Sequence, residues 1–363
     1  MIRRPLMLLA GILVAFGLVA CKDEDKSSQQ AAAAPAQHFQ WKMVTAWPKN
    51  YPGLGTAAER FAERVKVMSG GRLQIKVYAA GELVPALEVF DAVSQGTVEL
   101  GHGAAYYWKG KVPAAQFFTA VPFGLSASEM NAWLSHGDGL KLWTEAYAPF
   151  GVKPLAVGNT GMQMGGWFNT EINSLDDLRG LKIRMPGLGG EALSKLGATT
   201  VNLPGGEVFT ALQTGAIDAT DWVSPYNDLA FGLHKAAKYY YYPGWQEPQA
   251  ALELLINQKA LDALPDDLEA IVEEAARAAN QDMQDDYVYN NARALEQLKQ
   301  QGVQLKRFPD EVLEALRQQS AIVLGELAAQ SELNGRIWAS MQAFQAQVAP
   351  MHAVSEKELF NWR

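Results

Sequence analysis

From about residue 40 the chain alternates short apolar runs with stretches whose apolar residues recur every three or four positions. Trp41 to Ala46 predicts a strand and Thr56 to Met68 a helix, closed by Gly70-Gly71. Leu73 to Tyr78 alternates as a strand does, Val84 to Ser94 repeats at helical spacing, and Val98 to Leu100 fits another short strand. This rhythm predicts a largely parallel sheet covered by helices. A similar series recurs in Leu181 to Arg184, Gly190 to Leu196, Thr200 to Leu203, Glu207 to Gln213 and Ile217 to Thr220. Two separate α/β units are therefore expected.

The C-terminal third reads differently. Pro265 suits a first helical turn, and Leu268, Ile271, Val272, Ala275, Ala279 and Met283 share one face of a helix running to about Gln300. Gly302 ends it, Val303 to Phe308 returns as a strand, and Pro309-Asp310 opens a second long helical region through about Val348. Long amphipathic helices at a chain end need a partner surface, either both lobes or another subunit. No repeat of 20 to 50 residues signals a solenoid.

The N-terminus carries an address. Arg3-Arg4, a mostly apolar run from Leu6 to Ala20 and small residues before Cys21 make a secretory signal over residues 1–20, too short for a membrane span. Leu18-Val19-Ala20-Cys21 resembles a bacterial lipobox, in which the cysteine becomes the lipid-bearing first residue of the mature chain. The other reading is an ordinary signal peptide whose cysteine is incidental. Residues 21–39, polar and without periodicity, read as a flexible tether.

Composition narrows the function. The 363 residues suit two lobes, and 48% hydrophobic against 19% charged residues allow a sizeable core. Lys and Arg number 31 against 39 Asp and Glu, for a net charge of −8. Loss of the signal removes Arg3 and Arg4 and no acid, so the mature body is more acidic still. No basic stripe stands out, and nucleic-acid binding is not expected. A single cysteine allows no intrachain disulfide and no C-x-x-C pair.

Catalytic signatures are sparse. The chain holds no Gly-x-Ser-x-Gly elbow, no His-Glu-x-x-His and no Walker-type loop. Gly101-His102-Gly103 starts like a dinucleotide fingerprint, but Tyr106 stands where the next glycine belongs, so a tight turn is the better reading. No two of the five histidines share helical metal-ligand spacing. The informative stretch is Gly158-Asn159-Thr160-Gly161-Met162-Gln163-Met164-Gly165-Gly166-Trp167-Phe168. Glycines this dense point either to a backbone that approaches something closely or to a glycine-rich hairpin between lobes. Gln163 fits an amide oxygen for a cation, a hydrogen bond to a polar ligand, or a turn position. Arg184, near the end of an apolar strand and before Pro186-Gly187, suits two readings: a clamp on a carboxylate, or a structural ion pair.

Four segments together carry a family resemblance. They are Gly161 to Trp167, Leu175 to Pro186, Ala211-Leu212-Gln213-Thr214-Gly215-Ala216-Ile217-Asp218-Ala219, and Pro243-Gly244-Trp245-Gln246-Glu247-Pro248. The chain after about residue 40 resembles the solute receptors of tripartite ATP-independent periplasmic (TRAP) transporters, the DctP family. It is most similar to the branch that binds 2-oxo or 2-hydroxy monocarboxylates with a metal ion.

The resemblance implies an α/β, two-lobed, periplasmic-binding-protein-like fold with mixed, mostly parallel sheets and long C-terminal helices. Lobe 1 would comprise residues 40–157 plus about 249–288, lobe 2 residues 158–248 plus about 289–340, and a helical extension residues 341–363. Arg184 matches the arginine that holds the ligand carboxylate. Gln163, Trp222 (through its backbone carbonyl) and Glu247 match cation ligands. Asp221 matches an acidic position that is often glutamate, so its shorter reach bears on direct contact. Gln246 stands where histidine is expected. Tyr106 and Tyr107 are ligand contacts or core filling, and Asn159 joins the substrate-binding candidates. The Tyr239 to Tyr242 run fits a strand leading toward the site.

Charge counting follows from those roles. A monocarboxylate, Arg184 and Glu247 sum to −1, which Na⁺ neutralises; adding Asp221 gives −2, which favours Ca²⁺. An all-oxygen shell argues against zinc or copper. The expectation is a periplasmic receptor, lipid-anchored through Cys21. It would capture a small organic acid with a cation and deliver it to TRAP permease subunits, with homodimerisation through the last helices implied by the resemblance. The alternatives are a secreted metal-dependent enzyme acting on keto acids, with Glu247 or Asp221 as base, and a structural or signalling lipoprotein.

Overall fold

The computed structural model describes residues 37–363. The signal at 1–20, Cys21 and all but the last residues of the tether lie outside the described residues. No helix among those described is long and apolar enough to cross a membrane.

The first apolar run forms β1 (Phe39–Thr45), followed by α1 (Leu54–Met68), β2 (Leu73–Tyr78), α2 (Val89–Ser94) and β3 (Leu100–Gly103). Two helices, α3 (Ala127–His136) and α4 (Gly139–Tyr147), lead to β4 (Val152–Asn159). Ser126 and Glu129 form a reciprocal capping box that starts α3. The chain then crosses to a second sheet through β5 (Gly166–Phe168), β6 (Lys182–Arg184), α5 (Gly187–Lys195), β7 (Thr199–Val201), α6 (Gly205–Gln213), β8 (Ala219–Thr220), α7 (Pro225–Phe231) and β9 (Tyr239–Tyr242). It returns through β10 (Ala251–Asn257) and α8 (Gln258–Asp262) to α9 (Asp266–Gln300), then β11 (Gln304–Arg307). The helices α10 (Asp310–Ala328), α11 (Glu332–Val354) and α12 (Glu356–Phe360) close the chain.

The strands make two sheets, ordered β2-β1-β3-β10-β4 and β11-β9-β5-β8-β6-β7. This is the two-lobed α/β arrangement. Five of the nine pairings are parallel, and the four antiparallel ones all involve β10 or β5. Those two strands follow the direct crossovers between the sheets at residues 160–165 and 243–250 and run against their neighbours, whereas β11, which returns to the second sheet through α9, runs parallel to β9.

Each sheet has its own core. Trp41, Met43, Phe61, Val65, Leu254, Ile256, Leu268 and Val272 cluster around the first, and Phe168, Ile183, Leu193, Tyr241, Phe308 and Leu316 around the second. A third cluster, holding Trp47, Tyr106, Trp167, Trp222 and Tyr240, joins the two halves. Helix α9, about 50 Å long at 1.5 Å per residue, serves the first core through Leu268 and Val272 and the joining cluster through Met283 and Tyr287.

One sequence expectation is corrected in detail. The helical region from 309 is two helices, because Ser331 caps a new start by accepting from the Asn334 amide at 3.1 Å, while Asn334 donates to the Leu327 carbonyl. No glycine or proline marks that break. The second helix then runs unbroken across position 341 and past Val348 to Val354.

Candidate functional site

Two crossover segments, residues 160–165 and 243–250, run side by side between the sheets. Thr160 donates its amide to the Ala250 carbonyl at 3.1 Å, Gln163 to the Glu247 carbonyl at 3.2 Å, and Gly165 to the Tyr241 carbonyl at 2.8 Å. A Cβ at Gly244 would run into the Gln163 carbonyl, which is why the strands can lie this close. The glycine-rich stretch is thus a crossover, and β4 and β5 sit in different sheets rather than forming a hairpin.

Asn159 belongs to this crossover. Its amide donates to Gln249 Oε1 at 2.8 Å and its Oδ1 accepts from the Gly161 amide at 2.9 Å. Like Arg184, Asp221 and Glu247 it does not line the cavity described next, but unlike them its side chain is fully engaged within the crossover, with both amide ends hydrogen-bonded.

A small cavity between the two sheets is lined by Trp47, Tyr106, Tyr107, Gln163, Trp222 and Val223, among others. Trp47 and Thr160 also line it and were not singled out from the sequence. Trp47 follows the C-terminal end of β1, the end at which α/β sheets place ligands, and that signal could have found it. Tyr106 and Tyr107 pack edge-to-face at 5.0 Å and are both core residues and cavity wall, so the two readings of them coincide. Gly187, with φ 65°, leaves room for Tyr106, whose ring a Cβ would meet at 3.2 Å.

Arg184 ends β6 and is buried to 1% exposure. Nη1 donates to the Asp221 carbonyl at 3.0 Å, Nη2 to the Tyr107 hydroxyl at 3.4 Å and Nε to the Leu203 carbonyl at 3.4 Å. The Asp221 carboxylate lies 3.7 Å from Nη1, and the guanidinium stacks over the Trp222 ring at 5.1 Å. Of five N–H donors only three are used, two of them at long range. The ion-pair reading therefore holds only loosely, and the guanidinium keeps capacity for a further acceptor. Burial alone would lower its pKa, but the neighbouring Tyr107 and Asp221 outweigh that and hold it up.

Several buried side-chain oxygens of the crossover segments and of Asp221 accept no hydrogen bond. Gln163 donates through Nε2 to Thr160 Oγ1 at 3.2 Å, and that hydroxyl already donates to Gly161, so the amide orientation is fixed and Oε1 faces away without a partner. Asp221 Oδ1 accepts from Gln246 Nε2 at 3.0 Å, while Oδ2 has no hydrogen bond. Glu247 Oε2 and Gln246 Oε1 are likewise buried and unpartnered. Burial pushes Asp221 up to about 7 against the pull of Arg184. It pushes Glu247 well above the usual carboxylate range, and the charge of Asp221 adds to that. Such groups are costly without compensation. Their chemistry, carboxylate and amide oxygen without thiol or imidazole, fits Na⁺ or Ca²⁺. No group of three or more His, Cys, Asp or Glu side chains among the described residues forms a denser metal cluster.

Comparison with known proteins is consistent with this geometry. Residues 43–331 match the family described as bacterial extracellular solute-binding protein, family 7, DctP. The monocarboxylate 2-oxoacid-binding periplasmic protein of Nostoc sp. is 43% identical over 363 residues, covering 99% of this chain and 98% of its own. A TRAP periplasmic solute-binding protein from Pseudoalteromonas atlantica, solved with bound sodium and pyruvate, superposes with a TM-score of 0.87 at 41% identity, over 90% of this chain and 99% of its own. Another from Colwellia psychrerythraea, solved with calcium and pyruvate, gives 0.88 at 42% identity, over 90% and 100%.

Proposed function

The chain belongs to the bacterial extracellular solute-binding protein family 7, DctP, and on that premise we propose that it captures a small 2-oxo or 2-hydroxy monocarboxylate together with Na⁺ or Ca²⁺. It is the receptor component of a TRAP transporter, the class to which its structural neighbours belong, and it hands the acid to the membrane permease. Arg184 holds the ligand carboxylate with its unused N–H donors. Gln163 Oε1, the Trp222 carbonyl and Glu247 face the cation, and Gln246 holds Asp221 behind them. Trp47, Tyr106 and Tyr107 wall the cavity and exclude water. When bound, the cation supplies the positive charge that offsets the buried carboxylates and the acid.

One observation supports this most: a loosely partnered buried guanidinium lies 3.7 Å from Asp221 Oδ2, which accepts no hydrogen bond, and Gln163 Oε1 and Glu247 Oε2 are buried without a hydrogen-bond partner as well. Residues 40–157 with about 249–288 form one lobe around the first sheet, and 158–248 with about 289–340 the other. Cys21 carries a lipid that tethers the receptor in the periplasm. The exposed side chains of Met351, Phe360 and Trp362 at the end of the 341–363 extension fit a homodimer contact.

Calorimetry on metal-stripped protein tests the site. Pyruvate should bind only when Na⁺ or Ca²⁺ is restored, and Arg184→Ala should weaken it at least 100-fold, about 2.7 kcal/mol. Pyruvate binding that ignores both ions, or survives Arg184→Ala undiminished, overturns the reading. NMR of the bound acid should show it unchanged; turnover would instead favour the keto-acid enzyme.

A further inference from the structure

Tyr51 sits in the loop between β1 and α1, flanked by two left-handed residues, Asn50 at φ 56° and Gly53 at φ 69°. A non-glycine residue there is strained, and a Cβ at Gly53 would collide with the Tyr287 ring. This shape drives the Tyr51 ring inward to 6% exposure.

Its hydroxyl is used twice, on residues that follow the other sheet. It accepts from Trp222 Nε1 at 2.8 Å and donates to the Asn227 carbonyl at 2.8 Å, partners 171 and 176 positions away. The neighbouring Pro52 carbonyl accepts from Asn227 Nδ2 at 2.6 Å, and Asn227 Oδ1 accepts from the Tyr287 hydroxyl. The Tyr51 ring packs on Phe231 at 4.5 Å and meets Trp222 at 6.1 Å. Trp222 in turn carries the Arg184 guanidinium over its ring at 5.1 Å. Tyr51 itself does not line the cavity.

We propose that Tyr51 is a latch between the lobes, a positioning residue that acts through Trp222 to set how long the bound acid stays. The inference rests on the receptor reading above. The hydroxyl bridges groups on opposite sides of the cleft, so its hydrogen bonds exist only with the lobes together. Water replaces them on opening. Their contribution therefore belongs to the closed state and is felt in dissociation rather than in encounter.

Tyr51→Phe removes the hydroxyl and keeps the ring. Stopped-flow fluorescence with pyruvate and CaCl₂ should show dissociation about 10-fold faster and association within about twofold, with the ligand-free melting temperature unchanged. A purely structural role would lower that melting temperature and leave the off-rate alone, and this outcome overturns the latch. Trp222→Phe removes the same hydrogen bond from the other side and answers the question should Tyr51→Phe not fold. The two variants share the Tyr51–Trp222 bond, so the off-rate of the double variant should rise by less than the product of the two single effects; full additivity overturns the proposal. If the unaltered protein binds no pyruvate with either Ca²⁺ or Na⁺, the ligand reading fails instead. The dissociation measurement is then made with lactate and CaCl₂ in place of pyruvate: Tyr51→Phe should again release the acid about 10-fold faster, and an equal off-rate overturns the latch.

Discussion

Two pairs of buried acids in this molecule are equally hidden from water and differently equipped. Glu253, on the inner strand β10 of the first sheet, receives the Trp108 indole N–H on one oxygen and the Tyr147 hydroxyl at 2.8 Å on the other. Asp228, under the second sheet, receives the Trp167 indole at 2.9 Å, the Tyr240 hydroxyl at 2.6 Å and the Val223 amide at 3.2 Å. Each lobe has thus built the same device, an acid bracketed by an indole and a phenol. Asp221 and Glu247, in the cleft, each keep an oxygen with no hydrogen bond, the one on Asp221 meeting only the Arg184 guanidinium at 3.7 Å. Burial is common to all four, so burial does not mark function; burial without satisfaction does.

The largest effect should come from emptying a satisfied position. Glu253→Ala strands the Trp108 and Tyr147 donors in the core and leaves a cavity, at a cost of about 3 kcal/mol in unfolding free energy measured by urea titration. Affinity for pyruvate in the remaining folded protein should change little. A loss of affinity matching the loss of stability would erase the distinction between the two pairs.

The converse change comes next. Glu247→Gln removes a buried charge that lacks a full set of partners, so the metal-free protein should melt no lower than before. Cation affinity by calorimetry should nonetheless fall about 100-fold, equivalent to about 2.7 kcal/mol. Equal cation binding in the two proteins would remove Glu247 from the site.

Titration sharpens the contrast further. Burial holds Glu253 at about 8 in the folded protein, against roughly 4.3 in an unfolded chain. Between those values the folded state binds the extra proton, so its stabilising contribution is complete below about pH 4.3 and is lost as pH rises through 8. Stability should therefore fall with pH across that window, by at most about 1.4 kcal/mol per pH unit for this one group. Glu253→Gln should flatten that slope when unfolding is followed at several pH values, and an unchanged slope would assign it to other groups.

What the sequence made legible was local. The strand and helix alternation follows from apolar spacing within a dozen residues, and Arg184 stood out because it ends a strand just before Pro186-Gly187. Gln163 was visible as the polar residue in a glycine-dense crossover. What was hidden depends on distant partners: Asn159 is drawn into the crossover by Gln249, 90 positions on, and Glu253 by Trp108, 145 positions back. Tyr51 reads as an ordinary loop aromatic until Trp222 is seen beside it. The break before α11 was missed for the opposite reason, since a serine cap is local but too frequent a residue to signal one.

The smallest effect separates contact from contribution. Lys109 and Glu191 also reach across the cleft, at 2.6 Å, a shorter separation than any contact of Arg184. Yet their side chains are 41% and 39% exposed, so water and salt screen the pair and ordering two long side chains offsets much of the gain. Lys109→Ala should change pyruvate affinity less than about threefold, and the difference should vanish in 0.5 M NaCl. If it instead matched Tyr51→Phe, closure would be governed by exposed charge at the rim, and the hydrogen bonds of the buried tyrosine would lose their special place.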